Sequence, residues 1–582
     1  MTTPTRKQWS NATWRVWTVV GGMGLGALIL TGRLIQLQII DHSQYAEEAR
    51  LSHINEITLS DRRGALLDRN GYPLAASEDA YNVMVERRAW EDPADAAEAA
   101  ALISEATGVP AQQMIEIVAT VDAFEVPVIR GLGYDQAIAV RELDLYGVRL
   151  LDSERRVYPE GNLAAQLLGF VGQDATGLTG LEVDLDSVLT GAAGSLTYER
   201  DGLGREIAIG ERSETPALPG SNVVLTIDRY IQRIAERELD RALKEHKADG
   251  GTIVVVQPET GEVLAMASRP TFDVTNPDVS DESKQALFRN RAITDEYEPG
   301  SVFKLFTTAA ALDQGLVSPG SWWYDSGVLE IDGWSIRNWD FSSNGSQTVQ
   351  QILTKSLNTG AAWMASLCGP DVFYDYVARF GFGATTNSIL SGEVAGHVRT
   401  PVNEPETWRP VDMATNSYGQ GITATPLQMA MALAAIGNDG MLMKPHLVHE
   451  ISGPAGVQAN APEQVRQVMS AETARTLLDM MGVVVDTTPT LQINGYRAGG
   501  KSGTANVSSE IGGYKPDAYI SSFAGLAPLD NPQLAIIVKI DEPKDVPWGT
   551  VVAAPAFGRI AEEALAYMNV PPSEPVLVLG DQ

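Results

Sequence analysis

Cysteine is almost missing from this chain: Cys368 stands alone among 582 residues, so no disulfide can form within it. Its neighbours Met364, Ala365 and Leu367 make it a buried thiol in an apolar helix. Basic side chains are outnumbered, 43 Lys and Arg against 74 Asp and Glu, for a formal net charge of -31. A surface this acidic repels phosphates, and no basic patch offers a local exception, which argues against a nucleic-acid partner. Histidine is scarce as well. His42, His53, His246 and His397 are scattered, and the pair His446 and His449 has no cysteine nearby, so neither a zinc cluster nor another cofactor is expected. The acids Asp228, Asp325, Asp332 and Asp340 have no spacing that selects a glycosidase pair. Trp334 and Trp339 read either as a peptide groove or as core, with core packing the stronger reading for at least one. What is present is globular: 44% hydrophobic and 20% charged residues, in a length that calls for two or three domains.

The N-terminus is the long apolar exception. Arg6, Lys7 and Arg15 precede an uncharged run from Val16 to Gly32, and after Arg33 the apolar pattern resumes through Leu34, Ile35, Leu37, Ile39 and Ile40. This spans one bilayer as a helix if Arg33 snorkels to an interface. No acid occurs before Asp41, so residues 1–15 should be a cytoplasmic tail, 16–40 the anchor, and the rest extracytoplasmic. An uncleaved anchor is preferred to a signal peptide, because no small-x-small site separates the apolar run from Arg33. The first 40 residues carry four bases and no acid, so the remainder has a net charge of -31 - 4 = -35.

Beyond the anchor, helices are expected at Pro93–Ala106, stopped by Gly108, and at Ala111–Ala119. The composition shifts after Pro216 and Pro219-Gly220. Asp228 can cap a helix whose apolar side carries Ile231, Ile234, Ala235 and Leu239. Strands are expected at Thr252–Gln257, Glu262–Ser268, Tyr496–Val507, Tyr519–Leu526 and Leu534–Ile540, with a helix from Thr425-Pro426 to Ile436. Helices interrupting antiparallel strands indicate an α/β core with a mainly antiparallel sheet. The proline-containing stretch after Met568 reads as an extended tail.

Three short motifs carry chemistry. In Glu298-Pro299-Gly300-Ser301-Val302-Phe303-Lys304 the hydroxyl and the amine are three residues apart, on one helix face if Ser301 lies in a first turn. A neutral Lys304 could then accept the Ser301 proton during attack on a carbonyl. Such neutrality requires desolvation or a neighbouring cation. Alone, Ser-x-x-Lys is weak: about one chance occurrence is expected in a chain this long, and a helix cap with a solvated lysine is the stronger reading of the bare match. Two further motifs follow in the order known for serine acyl-transfer enzymes. Ser356-Leu357-Asn358 can turn two polar side chains to a cleft while Leu357 packs behind, although by itself an ordinary turn or helix start is the stronger reading. Lys501-Ser502-Gly503-Thr504-Ala505 lies in a strand where Gly499, Gly500 and Gly503 call for a bulge or a closely approaching ligand backbone.

Together these motifs resemble the active site of penicillin-binding proteins and serine β-lactamases, and the resemblance extends to the class B high-molecular-weight penicillin-binding proteins. It covers most of the exported chain. Arg63-Gly64, Asp68-Arg69-Asn70-Gly71 and Leu74-Ala75 look like the family's membrane-proximal signature. Arg156, Tyr158-Pro159, Gly161 and Gly180-Leu181-Glu182 look like the group tying the pedestal to the catalytic domain. The resemblance implies an α/β transpeptidase domain at 216–568, with a mainly antiparallel sheet flanked by helices. It also implies an elongated pedestal, dimerisation-like domain at 41–215 and an extended tail at 569–582. Ser301 becomes the acylated nucleophile, Lys304 the base, Ser356 and Asn358 the second-motif pair, and Lys501 a member of the charge network. Ser502, Gly503 and Thr504 would meet substrate, with the backbone N–H groups of Ser301 and Thr504 as the oxyanion hole. Ser417-Tyr418-Gly419-Gln420-Gly421 matches the family and frames the cleft floor. Ser502 departs from the family's usual threonine, which should alter affinity rather than chemistry. The implied substrates are peptidoglycan stem peptides, with β-lactams as mimics. The implied partners are a multi-pass membrane glycosyltransferase and other divisome or elongation proteins. A D,D-carboxypeptidase or β-lactamase using water, or a non-catalytic penicillin-binding scaffold, is the alternative.

Overall fold

The computed structural model describes residues 7–43, 45, 54–59, 62–199, 207, 210, 212–488, 491, 493–509 and 512–575. Residues 1–6 of the expected cytoplasmic tail and 576–582 of the expected C-terminal tail lie outside them. The chain forms two compact units, Met1–Asp61 with Gly191–Leu218, and Arg62–Thr190 with Pro219–Gln582.

In the first unit the helix Lys7–Ile35 continues into a π-helical turn, Gln36–Ile40. Within it Thr13–Ile40 is 28 residues long, reaches a mean hydropathy of 1.6 and is not buried. At 1.5 Å per residue that length exceeds the roughly 30 Å of a bilayer's hydrocarbon core, so the helix fits a single-pass anchor. The same unit holds a three-stranded sheet of Ile54–Leu59, Gly194–Glu199 and Arg212–Thr215.

The second unit is built on a five-stranded antiparallel sheet. Its strands are β1 (Gly250–Val256), β2 (Val263–Arg269), β3 (Gly499–Ser508), β4 (Tyr514–Ala527) and β5 (Leu534–Asp541), in the spatial order β2-β1-β5-β4-β3. The continuous apolar run of β1 is explained by burial on both faces. Ile253 and Val255 join a core cluster with helices α1 (Arg229–His246) and α6 (Ala554–Tyr567). Val254 and Val256 join a second cluster with α2 (Lys304–Asp313), α3 (Asn358–Arg379), α4 (Pro426–Gly437) and α5 (Ala471–Asp486). Asp228 caps α1 as its sequence position predicts, Oδ1 accepting from the Tyr230 and Ile231 N–H groups. Cys368 is buried in α3, where Gly369, at φ +70°, and Pro370 then break the helical path. Strand β4 begins at Tyr514, five residues before its expected start, because Tyr514 already pairs with Ser508 of β3.

The two sequence groups ahead of residue 190 meet around one buried acid. Glu182, fully buried, accepts from Arg63 at 2.8 Å and from Arg156 at 2.7 Å, while Arg156 also donates to the Gly64 carbonyl at 2.8 Å. Removing Glu182 would leave the buried Arg156 guanidinium without its carboxylate, at a cost of about 3–5 kcal/mol. Gly64 admits no side chain, since a Cβ would lie 1.9 Å from the Ser221 carbonyl oxygen. Asn70 donates to Asp228 at 3.2 Å, and Leu66 pairs in parallel with Val223, so this region is bonded to the sheet-bearing part of the same unit.

Candidate active site

Ser301 lies in a 3-10 turn, Gly300–Phe303, running into α2. Gly300 has φ +56°, and its N–H donates to the Gly419 carbonyl at 3.0 Å. Gly419, at φ +79°, lies so close that a Cβ would be 2.2 Å from the Gly300 oxygen. Both positions therefore need glycine, and the Ser417–Gly421 segment holds the turn from below. Glu298 braces it from the other side, accepting from the Gly421 N–H and the Tyr514 hydroxyl, each at 3.0 Å.

Three residues along, Lys304 is buried at 1% exposure. Its Nζ lies 2.9 Å from Ser301 Oγ, 3.1 Å from Ser356 Oγ, 2.6 Å from the Ser356 carbonyl oxygen and 2.8 Å from Asn358 Oδ1. The two carbonyl-type oxygens accept its N–H bonds, which leaves a neutral amine's lone pair for a hydroxyl proton. Burial, and then the charge of Lys501, push its pKa well below that of an ordinary lysine. Both causes that the sequence left open are present together.

Ser356 ends the short helix Val349–Lys355 in a left-handed conformation, φ +59°, and Asn358 opens α3. That reversal turns Ser356 and Asn358 toward Lys304, while Leu357 is buried behind them. Asn358 is held from its far end, its amide donating to the Arg337 carbonyl at 3.0 Å.

Strand β3 supplies the third wall. Ser502 and Thr504 are partly exposed and line the cavity, whereas Lys501, Gly503 and Ala505 are buried. Lys501 Nζ donates to the Ser502 carbonyl at 3.0 Å, and burial lowers its pKa to about 8. The glycines have a different cause from the one expected. Pairing with β4 is regular from Gly499 to Asn506, so no bulge exists there. Instead the space is filled by the protein: a Cβ at Gly500 would meet the Phe523 ring at 2.4 Å. One at Gly503 would meet Ser522 Oγ at 2.4 Å and the Pro299 carbonyl at 2.7 Å.

Ser301, Ser356, Asn358, Ser502 and Thr504 thus share one cavity of about 610 Å³, with Lys304 and Lys501 buried beside it and Gly503 against the turn that carries Ser301. Tyr418 and Gln420 belong to its lining as well. Sequence reasoning missed Asn506, Tyr519, Trp548, Gly549 and Thr550, which also line it. Trp339 lines the cavity and meets Trp548 edge to face at 5.1 Å. The core reading of the tryptophans fails: Trp334 is 64% and Trp339 58% exposed, because the hairpin Val328–Ile331 with Trp334–Arg337 inserts only Ile336 fully into the core.

Comparison with known proteins gives a family match over this same region. The model of the penicillin-binding protein transpeptidase domain matches residues 251–562, and that of the penicillin-binding protein dimerisation domain matches residues 58–225. Stage V sporulation protein D of Bacillus subtilis is 34% identical over 552 residues, covering 94% of this chain and 84% of its own length. Peptidoglycan D,D-transpeptidase FtsI of Escherichia coli is 32% identical over 580 residues, covering 98% and 94%. Among solved structures, penicillin binding protein 3 of Mycobacterium tuberculosis complexed with aztreonam gives a TM-score of 0.68 at 28% identity, covering 90% of this chain and 100% of that one. A peptidoglycan synthetase from Bifidobacterium adolescentis gives 0.72 at 25% identity, covering 90% and 98%.

Proposed function

We propose how this chain, which belongs to the class B penicillin-binding proteins and is a serine-type peptidoglycan D,D-transpeptidase, carries out its reaction. Ser301 Oγ attacks the carbonyl between the last two D-alanines of a donor stem peptide as Lys304 takes its proton. The N–H groups of Ser301 and Thr504 receive the developing oxyanion. Ser356 relays the proton from Lys304 to the departing D-alanine nitrogen, and Asn358 aligns the peptide amide. Lys501 and the hydroxyls of Ser502 and Thr504 face the terminal carboxylate. Gly503 lets the strand backbone lie against the nucleophile turn. An amine of a neighbouring stem then attacks the ester, its proton passes through Ser356 to Lys304, and Lys304 returns a proton to Ser301 Oγ, which leaves as the hydroxyl.

The observation that carries these roles is the position of Lys304 Nζ, buried and within 3.1 Å of oxygens from Ser301, Ser356 and Asn358. β-Lactams, as carbonyl donors with a carboxylate, would acylate the same serine. The test is labelling of the full chain in detergent with a fluorescent penicillin: wild type should label and Ser301→Ala should not. Persistent labelling of the variant would remove Ser301 from its role. Incubation with lipid-linked peptidoglycan, a polymerase and an amine acceptor separates transfer from hydrolysis, and hydrolysis alone would favour the carboxypeptidase reading.

The finer arrangement belongs to the same proposal. Residues 16–40 anchor the chain with the catalytic domain, 216–568, on the extracytoplasmic side, residues 41–215 form the pedestal, and 569–582 form a tail. A multi-pass membrane glycosyltransferase, with other divisome or elongation proteins, docks on anchor and pedestal. The basic flank before the anchor supports that orientation. Co-purification with the glycosyltransferase in mild detergent is expected, and its failure with both proteins folded would count against the pairing.

A further inference from the structure

Asp325 takes no part in the reaction just described, yet it is a costly residue. It closes the strand Trp322–Asp325, is fully buried, and among the described residues has no Lys, Arg or His partner. Its carboxylate instead accepts five hydrogen bonds. Oδ1 receives the Gly327 N–H at 2.9 Å and the Thr359 hydroxyl at 3.0 Å. Oδ2 receives the Asn338 amide at 2.9 Å and both the backbone N–H and the amide of Asn344, at 3.1 and 2.8 Å. Burial by itself would raise its pKa, but the Asn344, Gly327, Thr359 and Asn338 donors outweigh burial and hold the carboxyl below the usual range. The group is thus an ionised carboxylate whose lone pairs are satisfied by neutral donors from three separate segments.

Two of those donors lead directly to the cavity. Thr359 follows Asn358, whose Oδ1 contacts Lys304. Asn338 precedes Trp339, which lines the cavity and touches Trp548. The two branches are also joined, because Thr359 Oγ1 lies 3.0 Å from both Asp325 Oδ1 and Asn338 Oδ1, which share its one proton. Asn358 is therefore held on both sides, by Arg337 at its amide and by the Asp325 network at the next residue.

We propose that Asp325 is a positioning residue for acyl transfer, fixing Asn358 against Lys304 through Thr359 and fixing Trp339 at the cavity wall through Asn338. This rests on the reading of the site given above. It assigns Asp325 no proton transfer and no contact with substrate.

The test uses the full chain in detergent and a chromogenic β-lactam, with stopped-flow separation of the Kd of the encounter complex from the limiting acylation rate. Thr359→Val should lower the limiting rate about tenfold at unchanged Kd, the usual loss for one buried hydrogen bond. Thr359→Ser, which keeps the hydroxyl, should stay within about threefold of wild type. Asp325→Asn should lower the rate and also raise Kd, since it loosens Asn338 as well. The double variant should be no slower than the slower single one, because both act through one chain of contacts. Full additivity, or a folded Thr359→Val enzyme within about twofold of wild type in rate, overturns the proposal. If Asp325→Asn fails to fold, the valine and serine variants at 359 decide alone. Failure of the wild-type chain to be acylated would overturn the reading of the site itself, whereas normal wild-type acylation with indifferent variants overturns only the role of Asp325.

Discussion

Lys304 Nζ sits 2.9 Å from Ser301 Oγ in a place where water scarcely reaches it. Burial is the larger cause of its lowered proton affinity and the Lys501 charge the second, so two lysines of one site titrate apart. In the proposed mechanism acylation needs Lys304 neutral and is fastest with Lys501 charged. The rate should rise as pH increases through the depressed titration of Lys304, then fall as Lys501 loses its proton near pH 8. Removing the like charge with Lys501→Ala raises the Lys304 pKa, so the ascending limb should move to higher pH while the descending limb disappears. Penicillin acylation rates across pH 5 to 10 check both limbs. A profile that is level from neutral to alkaline pH would contradict the assignment of charge to Lys501.

The same burial has a thermodynamic consequence. Lys501 is 2% exposed, and its pKa falls from 10.5 to about 8 on folding. A lysine with a lowered folded pKa disfavours the folded state below that value, where the unfolded chain holds a proton that the native site resists. The penalty is full below pH 8, shrinks as pH rises, and vanishes above 10.5. Lys501→Met should therefore stabilise the chain at pH 7 by about 3 kcal/mol while slowing acylation. Urea unfolding at pH 7 and pH 10 measures it. Equal gains at the two pH values would show that packing, not charge burial, is responsible.

Gly503 gives a steric prediction. A Cβ there would lie 2.7 Å from the Pro299 carbonyl, two residues before the nucleophile, and 2.4 Å from Ser522 Oγ. The hydroxyl can rotate away, but the carbonyl moves only with the turn carrying Ser301. Gly503→Ala should lower stability by about 1–3 kcal/mol and slow acylation more than tenfold. Gly320→Ala, where a Cβ meets nothing within 4 Å, is the control and should shift stability by no more than about 0.5 kcal/mol. Unfolding midpoints and acylation rates of the two variants decide the matter.

Local pattern revealed what local physics controls. The Ser301 to Lys304 spacing forces the hydroxyl and amine together on any helical turn, and the uninterrupted apolar run Ile253–Val256 marks a strand buried on both faces. Asp228 and Thr425 announce helix starts because capping is a contact between near neighbours in sequence. Long-range pairing hid the rest. Trp548 and Thr550 follow the last strand with no periodic cue, and they reach the cavity only because β5 lies beside β4, which in turn pairs with β3. Gly500 and Gly503 looked like room for a ligand, since the Phe523 ring and the Pro299 carbonyl come from segments distant in the chain. Asp325 carries no signal in the sequence for the same reason: its five donors converge only in three dimensions.

Ser502 and Thr504 are not equivalent, although both face the cavity. The Thr504 hydroxyl already donates to the Pro547 carbonyl at 3.2 Å and accepts from the Gly549 N–H at 3.3 Å. Ser502 is therefore the hydroxyl more available to a substrate carboxylate, and it lacks the methyl that confines threonine's rotamer. Ser502→Ala should raise the Kd of a β-lactam about tenfold, the loss of one charge-assisted hydrogen bond. Ser502→Thr should lower that Kd about twofold to threefold by reducing the rotamer freedom lost on binding. Neither change touches the contact between Ser301 and Lys304, so the limiting acylation rate should stay within about twofold of wild type in both. A threonine variant that alters the limiting rate and leaves Kd unchanged would move Ser502 from ground-state carboxylate binding to transition-state stabilisation.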